Sequence, residues 1–199
     1  MIPEAGQARS GKTELAALGL VARDLTNVFA SVPEGDWDRP TPCTAWTLRE
    51  LTEHITGGNR FTICILDGDS SETAMASARR SFAEDHDTCR SLVTSTLELE
   101  DHFAVPGVLD QNCHHVNRDM SGHEVLRLRL HDLIIHTWDA AQVLTAAPFE
   151  IRPELVNWAL TDIAADTLVA RHFGVDPPTT DERGSDQTTL LEAFGRATP

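Results

Sequence analysis

Residues 127–142 read RLRLHDLIIHTWDAAQ. Leucines, isoleucines and alanines recur in this stretch at helical spacing, yet two arginines, two histidines and two aspartates are set among them. Burying such groups without partners costs several kcal/mol, so they either face water or answer a need of the interior. Successive helical residues turn by about 100°, which puts Asp132 and His136 about 40° apart on one face, with Arg129 on the same stripe. Val125, Ala140 and Val143 continue that stripe and are apolar, so it is predicted to face a core. His131 points elsewhere, on the side of Arg127 and Trp138. Helical bundles build metal and ligand sites from side chains that project inward from facing helices, and this stretch has the composition of such a helix.

The chain around it reads as helical nearly throughout. Leu15, Leu18, Ala22, Leu25, Val28 and Phe29 recur at steps of three and four, predicting a first helix over 12–32. A proline-rich loop follows at 31–46. Thr47 and Glu50 form a capping box, with Trp46 and Leu51 at staple positions, and start a second helix that runs to about Leu66. A third helix is expected over 72–99. The punctuated segment 101–120 is expected to be irregular, a crossover with a little extended structure. Ser121 and Glu124 form a second capping box and start the fourth helix, 122–145, which contains the opening stretch. Pro153 suits the first turn of a fifth, 153–172. The end LLEAFGR, 190–196, is expected to dock as a turn or short helix. The predicted architecture is all-α: four long antiparallel helices with one long crossover, plus C-terminal helical additions. Residues 1–11 are expected to be loose and 12–199 to form one domain.

Charge and composition exclude several functions. A net charge of −15 argues against nucleic acid, whose binding needs a basic footprint to replace phosphate counterions. No apolar run reaches the length of a membrane span. The segment MIPEAGQARSGK lacks the apolar region of a secretory signal. Cys43, Cys64, Cys89 and Cys113 are scattered, contain no C-x-x-C pair, and are read as reduced thiols in a cytoplasm. The expected partner is a small molecule, and a homodimer is left open. GQARSGKT, residues 6–13, matches a phosphate-binding loop letter for letter. Such a loop needs a buried strand before it, and MIPEA is not one, so the match is read as the approach to helix one.

The candidate chemistry lies with the fourth helix. Asp132 and His136, one turn apart, can both reach a single ion. Two ligands are too few, and His54 on the second helix, three residues after Leu51, is the best third. Two histidines and one carboxylate leave coordination positions open, the mark of a catalytic rather than a structural metal. The competing reading of the same spacing is a satisfied buried Asp–His pair with His54 at the helix edge. Asp110, His114 and His115 offer another ligand set but are expected in a solvated loop; His86, His102, His123 and His172 are expected to be exposed.

Three separated motifs carry a family resemblance. PTPCTAWTLRELTEHITGG (40–58), LRLHDLIIHTWDAAQ (128–142) and the closing FGVDPP…LLEAFGRATP resemble, in order, the signatures of the actinobacterial metal-binding branch of the DinB-like superfamily, related to the N-terminal domain of mycothiol-dependent maleylpyruvate isomerase. The resemblance implies a DinB-like four-helix bundle whose divalent metal is held by His54, Asp132 and His136. Zinc is expected, with nickel and iron also suited to nitrogen and oxygen ligands. The best-known members carry glutamate where Asp132 stands; aspartate is one methylene shorter, so either the ion sits closer to the helix here or the carboxylate misses it. The resemblance further implies thiol chemistry, with mycothiol as co-substrate in isomerisation or S-transfer. Arg129 is then the candidate to neutralise a substrate carboxylate, and Asp139 to orient a ligand. The same metal with activated water would make a hydrolase or lyase; a non-catalytic metal- or ligand-binding bundle is the third option.

Overall fold

The computed structural model describes residues 5–44, 46–84, 87–175 and 187–196. The fold is mostly helical, as the sequence implies. Helix α1 spans Ala5–Val28, α2 Leu48–Leu66, α3 Ser71–Glu84, α4 Thr88–Phe103, α5 Gly122–Leu144, α6 Pro153–Ala165, α7 Leu168–Phe173 and α8 Gln187–Ala193. A short antiparallel hairpin, β1 (Asn112–His114) and β2 (Asp119–Ser121), precedes α5. Both capping boxes form: Thr47 and Ser121 each accept from the backbone N–H three residues on, and Glu50 and Glu124 reach back. Residues 6–13 are helical, with no loop to cradle a phosphate.

Helices α1, α2, α4 and α5 form the bundle. Asn59 bonds Ser95 and Thr96, and Asp67 past the end of α2 pairs with His102 in the last turn of α4, so α2 and α4 run parallel. Along α5, by contrast, Trp46 meets His136, His54 meets Asp132 and Asn59 meets Arg129, so α2 and α5 run antiparallel. The four are therefore not all antiparallel to their neighbours. A parallel pair needs a long return, and α3 supplies it. The expected third helix over 72–99 is in fact two, α3 and α4. Asp87 makes the new start by accepting from the Arg90 N–H at 3.0 Å, the usual work of an N-cap aspartate. The segment 101–120 is then a plain connection between antiparallel helices, with the hairpin inside it.

The fifth predicted helix also divides. Asp166 is fully extended between α6 and α7. There its carboxylate accepts from the Leu168 N–H at 2.7 Å and pairs with Arg127 at 2.8 Å. The hydrogen-bonding gain at Asp166 outweighs helix continuation. Helix α5 runs through the middle of the molecule, and every residue from Val125 to Ala141 is buried. The bundle covers one side of it; α6, α7 and the segment after α8 cover the other. That second cover explains the polar residues off the metal stripe. His131 is fully buried, 3.0 Å from Asp162 and between the rings of Trp158 and Phe194. Arg127 donates to Asp162 at 2.7 Å. Among the described residues no helix is long and apolar enough to cross a membrane.

Candidate metal centre

The Thr47 cap fixes where α2 begins, and Leu48, Leu51 and Ile55, all fully buried, fix its rotation. His54 is thereby set at the edge of the core with its side chain 36% exposed, reachable from outside. Its Nε2 lies 3.1 Å from Asp132 Oδ1. His136 Nε2 lies 3.4 Å from the same oxygen. The three donor atoms are within 4.8 Å of one another. Tetrahedral ligands at roughly 2.0–2.1 Å from zinc stand about 3.3 Å apart, so the spacing fits a divalent ion. The shorter aspartate reaches both imidazoles, and its length does not spoil the arrangement.

The surroundings leave these three atoms available. Arg129 Nη1 donates to Asp132 Oδ2 at 2.6 Å, which keeps Oδ1 turned to the histidines. The guanidinium is held by Ile55 O at 2.8 Å and Asn59 Oδ1 at 3.0 Å. Arg129 is thus buried and committed to Asp132, which takes the place of the substrate carboxylate expected from sequence. Gly58 makes room for it: a Cβ there would overlap Arg129 Nη1. Asp139 Oδ2 lies 2.9 Å from His136 Nδ1, so that nitrogen donates and Nε2 faces the trio. A carboxylate behind a ligating imidazole fixes its tautomer and raises its basicity. Asp139 is itself held by Arg196, at 3.0 and 2.6 Å. Trp46 stacks on His54 with ring centroids 4.4 Å apart and walls the outer side.

Electrostatics follow from this packing. Burial would raise the Asp132 carboxyl, but Arg129 and His136 beside it hold it well below the usual range. Burial would lower His136, but Asp132 and Asp139 outweigh it and push its pKa up to about 9. Without an ion His136 is therefore protonated at neutral pH, and an ion must displace that proton. A histidine raised above its ordinary value of 6.5 stabilises the fold fully below that value and stops doing so as pH rises through the folded value. The metal-free protein should lose thermal stability between pH 6.5 and about 9. Zinc-loaded protein should lack that decline, because the ion replaces the proton. Melting curves across this range with and without zinc check it.

Sequence reasoning missed four contributors. Arg196 carries its only signal in the closing GR of the family motif. Cys43 Sγ, in PTPC, lies within 4.8 Å of the same two groups, His136 and Asp139. Their bond to each other, and that of Asp139 to Arg196, occupy that side, whereas in the trio around Asp132 Oδ1 both His54 and Asp132 line a cavity. His115 and His172 are the other two: His115, in the loop of the hairpin, and His172, near the end of α7, are both half-buried rather than solvated. Both line a cavity of about 140 Å³ with His54, Arg129 and Asp132, which adjoins an outer chamber of about 570 Å³ bounded by Trp46, Phe61, Met75 and Arg79. His123 is also not exposed as expected: it is half-buried and bonded to the buried Glu14. His114 is exposed and pairs with Asp119. His86 falls outside the described residues.

Comparison with known proteins finds a family over most of this framework. The family model described as the mycothiol maleylpyruvate isomerase N-terminal domain matches residues 18–141, which span α1 to α5 and hold the whole trio. The chain is 27% identical over 161 residues to two uncharacterized proteins of Mycobacterium tuberculosis, from strains CDC 1551 / Oshkosh and ATCC 25618 / H37Rv. Each alignment covers 78% of this chain and 80% of the relative. No solved structure matches the chain.

Proposed function

Since the chain belongs to the mycothiol maleylpyruvate isomerase N-terminal domain family, we propose that it is a metal-dependent enzyme using a small thiol of the mycothiol type to isomerise, or transfer sulfur to, a small electrophile. The observation that carries this reading is the convergence of His54 Nε2, Asp132 Oδ1 and His136 Nε2 on one point beside a cavity. When bound there, a divalent ion favours the thiolate of a small thiol over the thiol, and the thiolate is the nucleophile.

The chain's own groups supply the rest. His54, Asp132 and His136 would hold the ion, and three ligands would leave a position open for a thiol. Arg129 balances the charge of Asp132 and keeps its second oxygen away from the ion. Asp139, steadied by Arg196, keeps the His136 proton on Nδ1. Trp46 and Phe61 shield the site from bulk water, and Met75 and Val116 give the outer chamber apolar surface for a carbon skeleton.

Protein never exposed to a nickel column should carry close to one divalent ion per chain, zinc being expected, by elemental analysis. Metal-loaded protein should convert a member of an electrophile panel only when mycothiol is present, the thiol being returned in isomerisation and consumed in S-transfer, and a chelator should stop it. Turnover with metal but no thiol would replace this reading with a metal-activated-water hydrolase or lyase. Failure to bind added zinc would end the metal reading.

A further inference from the structure

The cavity has a wall that the metal centre does not use. His115 follows β1 and His172 lies near the end of α7. Their ring centroids are 5.5 Å apart. His115 stands edge-on to Phe61 at 5.6 Å, and His172 edge-on to Phe173 at 4.6 Å. Asn117 holds both imidazoles. Its backbone N–H donates to His115 Nδ1 at 3.4 Å, and its carboxamide Nδ2 donates to His172 Nδ1 at 3.2 Å.

Both of these Asn117 groups are donors only, so each Nδ1 must present its lone pair. The proton of each neutral ring then sits on Nε2. Asn117 borders an outer groove with Arg118 and Arg171 and is not among the residues lining the inner cavity. The Nδ1 edges therefore face Asn117, and the Nε2–H edge lies on the far side of each ring, both rings lining the cavity together with Asp132. The rings also stay neutral: burial, with His172 and Arg118 nearby, holds His115 down to about 4, and burial lowers His172. Fixed N–H donors in a partly dry site stabilise negative charge on an oxygen without having to reorganise, and neutral imidazole is a known donor of this kind.

We propose that His115 and His172 form a paired imidazole site for an oxyanion, namely a carboxylate oxygen of the ligand that occupies the cavity between them and the trio of His54, Asp132 and His136. This rests on the proposed function for what lies at the ligand's other end. The donor pair itself depends only on Asn117 and the two rings.

The test uses the full chain incubated with zinc, 15N-labelled, with acetate as the probe. Long-range proton–nitrogen spectra should show both side chains in the Nε2–H form. Adding acetate should shift both Nε2 signals along one saturating curve. His115→Phe and His172→Phe, which keep a ring in place, should each weaken acetate at least tenfold with zinc content unchanged. Asn117→Ala, at an exposed position that endangers no core, should let His172 populate the Nδ1–H form and also weaken acetate. A proton on Nδ1 of either ring in the unaltered protein overturns the proposal. So does acetate affinity that none of the three substitutions changes, since acetate would then be meeting the metal alone. The two readings fail separately. Protein that holds no zinc but shifts both imidazoles with acetate keeps the donor pair and loses the metal centre.

Discussion

His54→Ala should lose the metal and keep its stability, while His131→Ala should keep the metal and lose stability. The two histidines are the clearest contrast the fold offers. His54 is partly exposed and, on the proposed function, gives one of three ligands. Two ligands do not hold an ion against water, so affinity should fall by more than the roughly 100-fold seen when only a ligand's outer partner is removed. Unfolding of the metal-free protein should change by no more than about 1 kcal/mol, as for a residue at the surface. His131 is fully buried against Trp158 and Phe194 and bonded to Asp162. Its removal leaves a cavity and a buried carboxylate short of a partner, about 2–4 kcal/mol together. Asp132→Ala and His136→Ala should follow His54→Ala in losing the ion. Elemental analysis and urea unfolding separate the classes. Metal loss in His131→Ala with retention in His136→Ala would mean that the ion sits elsewhere.

Arg129→Leu should destabilise the metal-free protein by about 3–5 kcal/mol, the usual result of stripping one partner from a buried ion pair. Asp132 would keep its charge in the interior with only imidazoles against it, and Ile55 O and Asn59 would each lose a donor. Zinc should shrink the loss, since the ion also balances Asp132. Gly58→Ala should act in the same direction more mildly, because the added methyl collides with the guanidinium. Denaturant unfolding with and without zinc reads both. An Arg129→Leu loss that zinc leaves unchanged would show that the ion does not contact Asp132.

The two helices that carry the trio were legible because their signals are local. Thr47–Glu50 and Ser121–Glu124 mark their starts within four residues, and the apolar stripes fix their rotation, so His54, Asp132 and His136 could be brought together on paper. The breaks in the third and fifth predicted helices were not legible. Asp87 and Asp166 read as ordinary polar residues on an outer face, and the pairing of Asp166 with Arg127 exists only after folding. Contacts made across long stretches of chain were equally hidden. His115 and His172 meet through Asn117, Glu14 finds His123, and Arg196 finds Asp139, with no periodicity to announce any of them. His131 was correctly placed off the metal stripe, but that stripe's opposite side also proved to be interior, because α6, α7 and the segment after α8 roof it over.

The bond from Arg196 to Asp139 bears on how a cell would load this protein. A ribosome releases Trp46 and His54 early, Asp132 and His136 much later, and Arg196 only after α6 and α7. In chain order the apolar residues of the four bundle helices therefore all precede the last clamp behind His136. Zinc fingers fold around their ion as they appear. On the proposed function, a scaffold whose core needs no ion would take its metal from whichever ions the surroundings supply once that core has formed.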